Sequence, residues 1–123
     1  MKPNDYITRW HDEFTTIRRD LHAHPELGFE EERTARVVQE KLAALGIEHH
    51  TGIGKTGIVA VIPGRSSASG RSVGLRADMD ALPMQEENEF AHKSRYDGRM
   101  HGCGHDGHTT MLLAAAKYLH ETR

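Results

Sequence analysis

The sequence predicts an α/β fold of the layered kind, with helices packed on a small sheet. Three observations predict it: apolar residues at helical spacing near both ends of the chain, a β-branched run between them, and a turn rich in Gly and His before the last helix. At 123 residues the chain has the length of a single domain.

Two helices are predicted before any strand. The first has Asn4 as its candidate N-cap, ends near Pro25, and carries an apolar stripe of Ile7, Trp10, Phe14, Ile17 and Leu21. The second covers residues 30–45 and ends before Gly46, a suitable left-handed C-cap. Its three leading glutamates, 30–32, are interpreted as a solvated helix start rather than as metal ligands.

The central part of the chain predicts strands. Residues 47–51 are interpreted as a short edge strand, and residues 57–62 are β-branched and stop at a Pro-Gly turn. Residues 73–77 are expected to form a further strand paired with the previous one, and residues 107–120 a final helix. One helix after three strands leaves part of the sheet uncovered, so we expect the first part of a longer domain.

Composition excludes several classes. Sixteen Lys and Arg against 18 Asp and Glu give a net charge of −2 with no basic run, so a nucleic-acid partner is not expected. No apolar stretch has the length of a membrane span, and no signal-peptide core is present. The single cysteine cannot form an internal disulfide, so a cytoplasmic location is expected.

The turn MHGCGHDGHTT, residues 100–110, contains a candidate metal site. Cys103 and His105 are one residue apart among glycines, and thiolate and imidazole are both good ligands for divalent metals. Asp106 either orients an imidazole or caps the following helix, and His101 and His108 are further candidates. A structural zinc site needs four ligands, and only one pair is present here.

A second candidate constellation is RADMDALP, at the end of the predicted third strand. Asp78 and Asp80 stand where α/β folds place their sites, either to bind a metal or to hold a metal-bound histidine, although a simple turn with an Asp cap remains open. Together with the Cys-His turn they suggest a metal-dependent hydrolase that uses an activated water. We recognise no general base in the chain.

Seven other histidines complete the set. His22 and His24 either line a cleft or merely suit the C-terminal end of the first helix electrostatically. The other five are interpreted as surface residues: His11, His49, His50, His92 and His120.

Three stretches in order resemble a known family: IRRDLHAHPELGFEE (residues 17–31), GLRADMDALP (74–83) and MHGCGHDGHTTMLLA (100–114). The chain resembles the metal-dependent amidohydrolases that include hippurate hydrolase, bacterial N-acyl-amino-acid amidohydrolases and plant indole-acetyl-amino-acid hydrolases. Aminoacylase and the carboxypeptidase-G type of metallopeptidase are relatives of this family. The resemblance covers nearly the whole chain.

The resemblance implies a helix–sheet–helix catalytic domain, of which residues 1–123 would be the N-terminal, metal-binding part. The rest of that domain and an inserted dimerisation domain would lie outside this chain, and the full-length protein would be a homo-oligomer. The implied reaction is hydrolysis of the amide bond of a small N-acyl amino acid with one or two divalent ions, Mn, Zn, Ni or Co. Cys103 and His105 match metal ligands, and Asp80 matches an acid that orients a ligand or assists the metal site; the role of Asp78 stays open.

The family pattern also contains parts that these residues lack. A Glu-Glu pair, which includes the general base, and further histidine ligands would lie beyond Arg123, so the 123 residues alone are expected to be inactive. The alternative is a naturally short, non-catalytic paralogue that binds a metal or pairs with a full-length subunit. A phosphohydrolase built on a His105-Asp106 pair is a weaker alternative, and Cys103 is expected to make the site redox-sensitive.

Overall fold

The computed structural model describes residues 1–123 and contains four helices and one two-stranded sheet. The elements in chain order are α1 (Pro3–Arg9), α2 (His11–Ala23), α3 (Glu32–Ala44), β1 (Glu48–Ile53), β2 (Gly57–Val61) and α4 (His105–Thr122). None of the helices is long and apolar enough to cross a bilayer.

The predicted first helix is divided in two, and its predicted cap is wrong. Trp10 separates α1 from α2, although its N–H still bonds Tyr6 and its carbonyl accepts from Phe14. Asn4 lies inside α1, which starts at Pro3 because proline suits a first helical position. The N–H of Lys2 donates to Oδ2 of Asp5 over 2.8 Å and so fixes that start.

The start of α3 is held by a residue outside the helix. The carboxylate of Glu26 accepts from the backbone N–H groups of Arg33 and Thr34 and from the Thr34 hydroxyl, and these bonds satisfy donors that the helix leaves free. Glu31 is buried and accepts from the hydroxyl of Thr56 over 2.7 Å. The interpretation of residues 30–32 as wholly solvated is therefore wrong at Glu31.

The predicted C-cap of α3 is present. Gly46 has a φ of +71°, and its N–H bonds the carbonyl of Ala43 while the N–H of Ile47 bonds that of Leu42, both over 3.0 Å. This pair of bonds is the Schellman arrangement, which favours glycine at that position. Ile47 and Leu42 are both buried, so the turn also directs the chain into β1 along the core.

The sheet is a β1–β2 hairpin, in which Glu48 pairs with Val61 and Ile53 with Gly57. The third strand expected over 73–77 is wrong: these residues have no regular structure, and Val73 and Leu75 are 86% and 60% exposed. Strand propensity alone does not form a strand, because the backbone also needs a ladder partner. The α/β class of the prediction is nevertheless confirmed.

The core lies between α2, α3, α4 and the start of β1. Its buried members are Trp10, Phe14, Leu42, Ile47, Leu113 and Ala114, so the predicted inward face of the first helix is confirmed at Trp10 and Phe14. The last helix begins at His105, two residues earlier than expected. His105 and His108 are therefore residues of the helix, whereas Cys103 lies in the bend before it.

Candidate metal centre

The two motifs singled out in the sequence are brought together by backbone pairing. Leu82 and Met100 exchange two backbone hydrogen bonds of 2.9 and 3.0 Å, which fix the 78–82 segment beside the start of α4. The hydroxyl of Thr109, on the first turns of α4, donates to the carbonyl of Asp78 over 2.9 Å. These contacts place the acidic segment directly against the helix that carries His105.

Asp78, His105 and His108 form a cluster whose ligand atoms all lie within 4.8 Å of one another. Nδ1 of His108 donates to Oδ1 of Asp78 over 2.9 Å, and Nε2 of His105 lies 3.4 Å from Oδ2 of the same carboxylate. One carboxylate and two imidazoles are a donor set that suits Zn²⁺ and other first-row divalent ions. The residues present therefore fit a divalent metal.

His108 reaches this cluster because of helical periodicity. Gly104 precedes the helix with a φ of +84°, so both His105 and His108 are helical residues three positions apart and lie on one face. Their ring centroids are 5.4 Å apart. A helix over residues 107–120, as predicted from the sequence, excludes His105 and so leaves His108 without this partner.

Asp80 contacts His105 on the opposite side of its ring. Nδ1 of His105 donates both to the carbonyl oxygen of Asp80, over 2.8 Å, and to its Oδ1, over 2.9 Å. A hydrogen at Nδ1 leaves the Nε2 lone pair available, and Nε2 is the atom that faces Asp78. The role of Asp80 as an orienting acid stays a prediction, with a geometry suited to it.

Cys103 is solvent-exposed and does not belong to the cluster of Asp78, His105 and His108. Its assignment as a metal ligand therefore stays a prediction that rests on its spacing from His105 and on the sequence resemblance.

The electrostatics of the cluster favour an ionised carboxylate. The hydrogen bond from His108 is the main reason why the pKa of Asp78 lies below its ordinary value; burial opposes this shift, and the nearby charge of His105 adds to it. Asp78 is consequently an anion throughout the physiological range. An ionised carboxylate is the form that binds a cation.

The other two candidate site residues in the turn, His101 and Asp106, lie outside the cluster of Asp78, His105 and His108. Asp106 is not the N-cap, since Gly104 holds that position, and its buried carboxylate bonds His22 instead. His101 is 5% exposed, and neither of its ring nitrogens has a hydrogen-bond partner. Burial is the main cause that lowers the pKa of His101. Neither residue belongs to the Asp78 cluster.

Three histidines outside the turn, His22, His24 and His92, have different surroundings. His22 lies in the last turn of α2, as the helix-end interpretation expects, and it is also buried and bonded to two carboxylates. His24 donates to the carbonyl of Asp20 in its own helix. His92, expected at the surface, is half-buried and stacks on Phe90 with ring centroids 4.0 Å apart.

Comparisons with known proteins agree with this architecture. Residues 74–123 match the model of peptidase family M20/M25/M40, and the resemblance inferred from the three motifs is confirmed. Residues 74–123 thus resemble this peptidase family, and relatives matched over most of the chain include proteins named as hydrolases or peptidases.

Three relatives of known name are similar to this chain over most of its length. Hippurate hydrolase from Campylobacter jejuni is 53% identical over 107 residues, which are 87% of this chain and 27% of the relative. N-acyl-L-amino acid amidohydrolase from Geobacillus stearothermophilus is 52% identical over 86% of this chain and 28% of its own length. IAA-amino acid hydrolase ILR1-like 2 from Arabidopsis thaliana is 48% identical over 91% of this chain and 25% of the relative. The chain thus spans about a quarter of the length of these relatives.

A solved structure shares the fold. The YXEP protein of Bacillus subtilis, described as a dinuclear metal binding peptidase from the M20 family, superposes with a TM-score of 0.88 and 40% identity. The match covers 94% of this chain and 32% of that one. A similarity of this extent shows that the helices, the hairpin and the segment between them adopt the family arrangement.

Proposed function

We propose that residues 1–123 form part of the catalytic domain of a metal-dependent amidohydrolase that cleaves the amide bond of small N-acyl amino acids such as hippurate. The observation that carries the proposal is the cluster of Asp78, His105 and His108, whose ligand atoms lie within 4.8 Å of one another. The names of the relatives support the substrate class, since they describe hydrolases of hippurate, N-acyl amino acids and IAA-amino acids.

His105 is the central ligand in this proposal. Its Nε2 faces Asp78, and its Nδ1 is held by Asp80, so the ring presents one free lone pair in a fixed direction. Cys103 is the second proposed ligand, because it matches the family pattern two residues before His105. Asp78 and His108 add a carboxylate and an imidazole at the same place.

A divalent ion bound there would supply Lewis acidity, which polarises an amide carbonyl and makes water a better nucleophile. The choice of metal follows from the donors: thiolate and imidazole favour Zn, Ni or Co, whereas carboxylates shift the preference towards Mn. In this proposal the residues of this chain hold the metal ion and orient its ligands. We propose that the general base and the remaining ligands are supplied outside residues 1–123, because the relatives are about four times as long.

A metal-binding experiment tests this proposal. We expect the chain of residues 1–123 to bind Zn²⁺ or Mn²⁺ but to release no glycine from hippurate, and we expect His105→Ala to lower its metal affinity by more than about 100-fold, beyond the cost of losing an outer partner. His50→Ala is the matched control, because His50 is an exposed histidine on β1 far along the chain from the cluster. Metal affinity is measured by competition with a chromophoric chelator. Metal binding that His105→Ala leaves unchanged would contradict the proposed centre.

The intact mass of the polypeptide isolated from its source cells separates the two functional alternatives. A mass far above 13.8 kDa supports a full amidohydrolase, with further ligands in the same polypeptide. A mass of 13.8 kDa contradicts it and supports a non-catalytic module that binds a metal or pairs with a longer subunit.

A further inference from the structure

A second histidine–carboxylate cluster lies behind the start of α4. His22, at the end of α2, is 6% exposed; its Nδ1 lies 2.8 Å from Oδ2 of Asp106, and its Nε2 lies 2.9 Å from Oε2 of Glu86. Asp106 and Glu86 are buried as well. The three residues are 64 and 84 positions apart in the sequence, so the cluster joins three separate segments of the chain.

The ring of His22 is placed between two carboxylates. Each ring nitrogen of His22 faces a carboxylate oxygen, and an ionised carboxylate oxygen accepts hydrogen bonds. Charge-assisted bonds of this kind are short and stronger than neutral ones. Nη1 of Arg18 adds a contact of 3.2 Å to the same oxygen of Asp106.

Glu86 is a fixed anchor for this cluster. Its carboxylate also accepts from the side-chain amide of Asn88, over 2.8 Å, and from the backbone N–H of Ser94. Burial works against ionisation, but the bonds from His22, Asn88 and Ser94 prevail and lower the pKa of Glu86. Nε2 of His22 is therefore bonded to a carboxylate that Asn88 and Ser94 hold in place.

The contact of Nδ1 of His22 acts on α4, the helix that carries His105 and His108. Asp106 directly follows His105 in the first turn of α4, and its carbonyl oxygen accepts from the hydroxyl of Thr110 over 2.7 Å. Because a helix is rigid, fixing the side chain of Asp106 fixes the rotation of this turn about its axis. The same rotation decides where His105 and His108 point.

We propose that His22 is a positioning residue of the metal centre: its bond to Asp106 sets the rotation of the first turn of α4 and so holds His105 and His108 against Asp78, while its bond to Glu86 adds a smaller contribution by steadying the ring. The inference rests on the proposed function to the extent that this cluster of Asp78, His105 and His108 binds a divalent metal. In this inference His22 positions His105 and His108 through the backbone of α4, without contacting their rings.

Two substitutions at one position separate the two contacts of His22. The amide nitrogen of asparagine reaches the position of Nδ1 and keeps the bond to Asp106, whereas that of glutamine reaches the position of Nε2 and keeps the bond to Glu86. We expect His22→Gln to raise the dissociation constant for Zn²⁺ by about 10- to 100-fold, as loss of an outer partner does. We expect His22→Asn to raise it by less than about threefold, since the bond to Asp106 remains.

The experiment measures Zn²⁺ affinity of the full chain by chelator competition, the ligand-field absorption of bound Co²⁺, and urea unfolding of the metal-free chain. His24→Gln is the matched control, because it removes an Nδ1 contact confined to α2. The Co²⁺ spectrum should change in His22→Gln and stay as in the wild type in His24→Gln. A purely structural role would lower the stability of the metal-free chain and leave the spectrum unaltered.

The outcomes are distinct. Equal Zn²⁺ affinity and Co²⁺ spectra in His22→Gln and the wild type would overturn the inference, as would equal weakening in His22→Gln and His22→Asn. If His22→Gln does not fold, Asp106→Ala, which removes the acceptor of Nδ1 of His22, takes its place, with the same expected loss and the same overturning result. Failure of the wild-type chain to bind any metal would instead contradict the proposed function.

Discussion

Two histidine–carboxylate clusters flank the first turn of α4, and they differ in how completely their polar atoms are used. At the buried cluster, Asp106 is 2% exposed and both nitrogens of His22 are bonded to carboxylates. At the cluster of Asp78, His105 and His108, the side chains are partly open to solvent, and Nε2 of His105 lies 3.4 Å from its nearest carboxylate. Similar residue types therefore fix the helix on one side and remain available to a ligand on the other.

The difference follows from desolvation. A charge taken out of water must be paired within the protein, and both ring nitrogens of His22 are bonded to carboxylates. A half-exposed group retains water as an alternative partner and can exchange it for a cation. Burial thus separates the residues that position the helix from those that can bind.

The largest effect on stability is expected at the buried cluster. His22→Ala leaves the carboxylates of Asp106 and Glu86 buried without their shared donor, which costs about 3–5 kcal/mol. Urea unfolding of the metal-free chain measures this loss of free energy. Asp78→Asn, a change in the partly exposed cluster of Asp78, His105 and His108, should alter stability by less than about 1 kcal/mol because water replaces the lost contacts. Equal losses in the two variants would show that burial does not distinguish the clusters.

A smaller effect is expected from the acid behind His105. Asp80→Ala removes one of the two acceptors of Nδ1 but leaves the carbonyl oxygen in place, so we expect metal affinity to fall by about tenfold, the low end for an outer partner. Asp80→Asn keeps a side-chain acceptor and should lose less. Chelator competition with Zn²⁺ provides the comparison. A loss in Asp80→Asn as large as in Asp80→Ala would assign the effect to charge rather than to orientation.

The smallest effect is expected in the acid dependence of stability. The pKa of Glu86 is lowered in the fold, so its contribution is complete above the ordinary value of 4.5 and is lost as the pH falls through the folded value. Glu86→Gln should therefore make the dependence of unfolding free energy on pH shallower below 4.5. Glu89→Gln, on an exposed side chain of the same segment, is the control. Urea titrations at several pH values measure the slope, and an unchanged slope in Glu86→Gln would contradict the assignment.

Much of the local structure could be predicted from the sequence. The glycine at position 46 predicted where α3 ends, because a C-cap acts within a few residues. The hairpin strands followed from β-branched residues next to turn residues. The motifs around Asp80 and His105 were sufficient to recognise the family.

The expectation that failed most clearly depended on distant partners. Residues 73–77 have strand-like composition, but no neighbouring strand pairs with them, so their backbone has no ladder. Pairing is a property of two segments, and the composition of one segment does not report whether the other is present.

By itself, then, the sequence determined which segments are helical, where α3 ends, and that the chain carries the motifs of a metal-dependent amidohydrolase. Only the tertiary structure decided that His108 joins Asp78 and His105, and that His22 joins Asp106 to Glu86. The physical reason is range: caps and helical periodicity act over a few residues, whereas the contacts of His108 with Asp78 and of His22 with Glu86 and Asp106 join residues 30 to 84 positions apart. Such contacts form only when the core has brought α2, α4 and the 78–100 segment together.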